Sequence, residues 1–68
     1  MLPQYDGWEC LGVQEKKAYD LNADREFSYF YLDYVNQVTG RDVGVDWIGG
    51  EVPPKEVHLA IKHLISHE

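Results

Sequence analysis

From Asn22 to Gly40 the bulky apolar residues recur at helical spacing. Phe27, Phe30, Tyr31, Tyr34, Val35 and Val38 occupy i, i+3, i+4, i+7, i+8 and i+11, which would form one stripe on an α-helix. Asn22 suits an N-cap, Asp24 and Glu26 suit the positive end of a helix dipole, and Gly40 suits the residue just past a helix end. The pattern predicts a helix over about 23–39. A second stripe, Val57, Ala60, Ile61, Leu64 and Ile65, follows Pro53 and Pro54 and predicts a helix over about 54–66, with Pro54 at its first position. Two such faces are expected to pack on each other.

The rest of the chain is read around that pair. Gln14–Leu21 has the composition of a short N-terminal helix. The expected fold is therefore mostly α, one small domain over residues 1–68. Val43, Val45 and Trp47 alternate with Asp42, Gly44 and Asp46, the period of a strand. Only the apolar patch from Trp8 to Val13 could pair with it, so the alternative is an α+β fold with a two-stranded sheet from 8–13 and 43–48.

Length limits how much this chain can bury. At 68 residues, only about 60% of the unfolded surface is removed from water on folding. The composition, 44% hydrophobic and 13% aromatic, is still that of a folded protein. Cys10 is the single cysteine and cannot form an internal disulfide, so stability must come from packing, a metal or another protein.

Charge narrows the choice of partner. The formal net charge is -6, all of it in residues 1–53. Lys16 and Lys17 are the only adjacent basic pair, which argues against direct nucleic-acid contact and against an anionic membrane surface. An acidic field favours a basic protein partner by steering encounter, although acidity also serves solubility alone. No apolar run is long enough to span a bilayer, and the start of the chain lacks the layout of a signal peptide, so a cytoplasmic location is expected.

Catalytic and cofactor motifs are not evident. The glycines match neither dinucleotide-binding nor P-loop spacing, and Cys10 has no basic cluster to activate it. No enzymatic activity and no cofactor are expected. His63 and His67 have i,i+4 spacing, but His58 lies elsewhere on a helical wheel and zinc needs further donors. A metal-binding module through these histidines is thus an alternative, set against a simple role as positive charge at a helix C-terminus.

On two packed helices, Tyr29 and Leu32 would face away from the core beside Asp33, as anchors in a polar rim. The segment Arg41–Glu51 joins Asp42, Asp46 and Glu51 to Trp47 and flexible glycines, a combination suited to gripping a basic surface, or one in which Trp47 merely closes the core. Expected partner contacts are Tyr29, Leu32, Asp33, Asp42, Asp46, Trp47 and Glu51. The functional expectation is a small acidic binding protein that masks a basic, nucleic-acid-handling surface: an inhibitor, an immunity protein or a phage-type antagonist of host or defence machinery. A structural adaptor acting as a homodimer or larger homo-oligomer is the rival.

A helix followed by Gly44-Val45-Asp46-Trp47-Ile48 and a proline-led helix resembles the second half of the bacteriocin nuclease immunity proteins. The likeness covers about half of the chain, with Gly49 and Gly50 where that family carries a tyrosine pair. It implies a helical fold and a basic toxin as partner.

Overall fold

The computed structural model describes residues 2–67 and shows a three-stranded antiparallel sheet followed by one helix. The elements are β1 (Trp8–Asp20), β2 (Arg25–Asn36), β3 (Asp42–Trp47) and α1 (Lys55–Ser66). The strands lie side by side in the order β1-β2-β3.

This overturns the mostly α expectation, and with it the pair of mutually burying helices. The segment expected as a helix over 23–39 is the central strand, and the segment expected as a short N-terminal helix is the outer half of β1. The physical reason lies in the aromatic content of β2. Phe27, Tyr29 and Tyr31 fill one face of a strand while Phe30 and Tyr34 fill the other. A segment apolar on both faces satisfies helical spacing as well as alternation. Aromatic and β-branched side chains fit a pleated sheet better than a helix. The Gln14–Tyr19 stretch has helix-forming composition, but pairing with β2 along its whole length overrides that weak preference. The α+β alternative also fits only loosely. Residues 8–13 and 43–47 are both in strands, yet they do not pair with each other; β2 lies between them.

The supposed helix caps serve as turns. Asp20 Oδ1 accepts hydrogen bonds from the amides of Asn22, 2.9 Å, and Ala23, 3.2 Å, closing the β1–β2 hairpin. Asp24 then takes a left-handed backbone, φ 53°, tolerable for aspartate. At the next corner Asn36 Oδ1 accepts from Val38 N and Thr39 N, and its carbonyl accepts from Gly40 N.

The core lies between one sheet face and α1. Trp8, Leu32, Tyr34 and Val43 from the sheet meet Val57 and Ile61 from the helix, with Cys10, Val13, Val45, Trp47 and Ile65 partly buried against them. The helix has its expected place, although Pro54 is its N-cap, not its first residue. The N-terminal segment is tied to this core, because the Tyr34 hydroxyl donates to the Pro3 carbonyl, 2.8 Å, and the Tyr5 ring meets Tyr34 edge-on, 5.3 Å between centroids.

β3 has 6 residues against 13 and 12 in its neighbours. It pairs with β2 only from Phe30 to Val35, so the outer hairpin extends beyond it and the molecule is elongated, 42 × 22 × 18 Å.

Candidate functional site

Alternation along β2 divides the expected contact residues between two faces. Leu32 points into the core and is 0% exposed, so it leaves the contact set. Tyr29, Tyr31 and Asp33 point to the opposite face, which α1 does not cover. Strand register brings Asp46 beside Tyr31 and Asp42 beside Val35 on that same side. Four expected residues, Tyr29, Asp33, Asp42 and Asp46, thus share one open sheet face.

The centre of that face is a row of Gly12, Asp33 and Gly44 across the three strands. A β-bulge between Cys10 and Gly12 puts Gly12 at φ 87°, a left-handed conformation that suits glycine. At Gly44 the reason for glycine is space, since a Cβ there would overlap the Tyr31 phenol. Lys16 Nζ stands 4.6 Å from the Tyr31 ring centroid, a cation–π contact.

Asp33 is 9% exposed, and its Oδ1 has no hydrogen-bond partner among the described residues. Burial, then the negative charge of Asp42, raises its pKa above the ordinary aspartate value, while the Tyr34 backbone amide and Lys16 oppose the shift. Tyr31 is also raised, by burial and then by Asp33, Asp42 and Asp46. The negative field of these three carboxylates therefore converges on the open face.

Trp47 sits on the core side of the sheet. Its ring stacks on Phe30, centroids 6.1 Å apart, and Nε1 donates to the Gly50 carbonyl, 2.7 Å. It is partly buried against the core, and it borders a groove lined also by Phe27, Tyr29, Asp46 and Ile48. Glu51 is away from the other expected carboxylates, in a hollow with Val13, Glu15 and Phe30 on the opposite side of the sheet.

Phe27, Tyr31, Gly12, Gly44 and Ile48 were not singled out as site residues from the sequence. The alternation Phe27, Tyr29, Tyr31, Asp33 was the signal that could have found the first two, once the segment is read as a strand. The His63 and His67 rings are 4.2 Å apart, and among the described residues no group of three metal-binding side chains converges. Among the same residues, no helix is long and apolar enough to cross a membrane. The sheet also removes the structural basis of the likeness to immunity proteins, which implied a helical fold. Comparison with protein-family models, with curated proteins and with solved structures finds no match.

Proposed function

We propose that this protein acts by binding another protein of basic surface, without catalysis, and masks a surface that handles nucleic acid. The observation that carries the reading is the gathering of Asp33, Asp42 and Asp46 with Tyr29 and Tyr31 on a sheet face left open by the helix. Carboxylates around aromatic rings combine electrostatic steering with apolar anchoring. The cellular setting we assign is the cytoplasm, of the host cell if the protein is phage-encoded, where a lone thiol stays reduced. Inhibition, immunity or antagonism of host or defence machinery are the roles this binding would serve.

The reading is tested by affinity capture from the native host with the wild-type chain and with the double variant Asp42→Lys, Asp46→Lys, followed by mass spectrometry and by association kinetics at two salt concentrations. Both aspartates are exposed, so the variant is expected to fold. The wild type should recover a basic protein, and the variant should associate with it more slowly, most visibly at low salt. Association unchanged by the double variant at low salt overturns the reading.

A further inference from the structure

The sheet stops short on one side, and that shortfall has the shape of a missing strand. β3 ends at Trp47, opposite Phe30, and no described residue pairs with Arg25–Tyr29 of β2 on that side. Backbone groups pointing away from β1 along this stretch present a ready hydrogen-bonding edge. The groove lined by Phe27, Tyr29, Asp46, Trp47 and Ile48 lies where β3 would have continued. Ile48 is 73% exposed and Phe27 37% exposed, so apolar side chains are held in water beside the open edge of a strand that is paired only with β1.

Among the described residues no strand lies on the outer edge of β1 either, which makes only the Tyr5–Trp8 bridge, but that edge is differently built. It carries the bulge at Gly12 and the charged run Glu15-Lys16-Lys17, features that discourage edge pairing. The β2 edge lacks such protection at Phe27, Ser28 and Tyr29.

We propose that Arg25–Tyr29 is a strand-addition site, occupied by an extended segment of the basic partner inferred above, running antiparallel to β2 in line with β3. The proposal rests on that reading and adds the mode of binding and the pattern of the segment. Register with β2 fixes the pattern, because side chains directly opposite each other in a sheet share a face. A residue opposite Tyr29 lies on the open face, as does one opposite Phe27, and both meet aromatic rings and want apolar side chains. The residue opposite Ser28 lies on the other face and suits a small polar side chain. The residue opposite Glu26 should be Arg or Lys. Read from its N-terminus, the segment is apolar, small polar, apolar, basic. Charge complementarity selects a foreign basic chain over a second acidic copy of this one, as Asp46 borders the groove and the chain carries net charge -6. Main-chain bonds supply affinity and the alternate side chains supply selectivity.

The test uses the full chain and synthetic capped peptides. One reads Val-Thr-Val-Arg-Ser, which spans the five positions opposite Tyr29 to Arg25, the second has the same composition with the alternation shifted by one position, and the third carries N-methyl groups on the alternate amides that would face β2. Binding is followed by amide NMR shifts and hydrogen exchange. The expected result is saturable shifts confined to Arg25–Tyr29 and Trp47–Ile48, slowed exchange within Arg25–Tyr29, and binding about tenfold weaker for the shifted and N-methylated peptides and for the variant Phe27→Glu. Equal binding of the N-methylated peptide, shifts elsewhere, or no binding overturns the proposal. So does concentration-dependent protection of the same amides without peptide, which would put a second copy on the edge. Loss of strand addition while the captured partner still responds to Asp42→Lys, Asp46→Lys would remove this site and leave the binding function standing.

Discussion

The Tyr31 phenol lies across Gly44 on the neighbouring strand, in the space that any side chain at position 44 would take. Gly44→Ala must push the ring away, and Tyr31 is held there by strand pairing and by Lys16 above it. The expected cost is about 1–3 kcal/mol, as for other overpacked sites. In Tyr31→Ala the added methyl should be nearly free, so urea unfolding of both single variants and the double variant should give a coupling above about 0.5 kcal/mol. Additive costs would show that the two residues do not compete for this space.

Asp33 gives a pH signature. Its folded pKa lies above the ordinary value of 3.8, so folding disfavours its charged form. Its relative contribution is most favourable below the unfolded pKa and is lost as pH rises through the folded one. Asp33→Asn, which cannot ionise, should therefore gain steadily on the wild type as pH rises from about 3 towards neutrality. Urea midpoints of both proteins at several pH values measure the gap. A gap that stays constant or narrows over that range contradicts the assignment.

Position 32 and position 29 should answer differently to truncation. Leu32→Ala removes a wholly enclosed side chain and is expected to cost about 2–5 kcal/mol. Tyr29→Ala acts on a half-buried ring of the open face and should cost clearly less while weakening partner binding. Equal losses in stability would mean that β2 does not present these two side chains to opposite faces.

Tyr34 links the core to the start of the chain. Tyr34→Phe removes the bond to the Pro3 carbonyl and should cost about 1 kcal/mol. Burial, then the Cys10 thiol, pushes the Tyr34 hydroxyl far above the usual tyrosine range. The contribution of a group so raised is present below its unfolded value and falls as pH climbs past it. Wild-type stability should thus decline more steeply above pH 10, the ordinary tyrosine value, than that of the phenylalanine variant. Parallel declines would assign the alkaline loss to other groups.

The outer hairpin has neither β3 nor the helix beside it. Backbone amides of β1 and β2 near Ala18 and Phe27 should exchange with solvent well before those near Cys10 and Tyr34, which lie in the layered part of the sheet. Uniform protection along both strands would show that the hairpin is braced in solution by contacts beyond those of the single chain.

Several features were legible in the sequence because they depend on local chemistry. The excess of carboxylates, the turns at glycine and proline, the helix over Lys55–Ser66 and the alternation over Asp42–Trp47 need no knowledge of neighbours. The central segment was different. With aromatic residues on both sides of Arg25–Asn36, the apolar pattern alone fits two periods, and the stripe from Phe27 to Val38 mistook a two-faced strand for a one-faced helix. Only the long-range pairing of β1 with β2, and of β2 with β3, resolves that ambiguity, since a strand has its hydrogen bonds satisfied by other parts of the chain. The same pairing decided the candidate site: it sent Leu32 inward, put Asp33 between two glycines, and set Asp42 and Asp46 on its own face while leaving Glu51 apart. Composition determined that the surface is anionic; tertiary pairing determined where the charge is gathered, because adjacent residues of a strand point to opposite sides and only register says which distant residues meet.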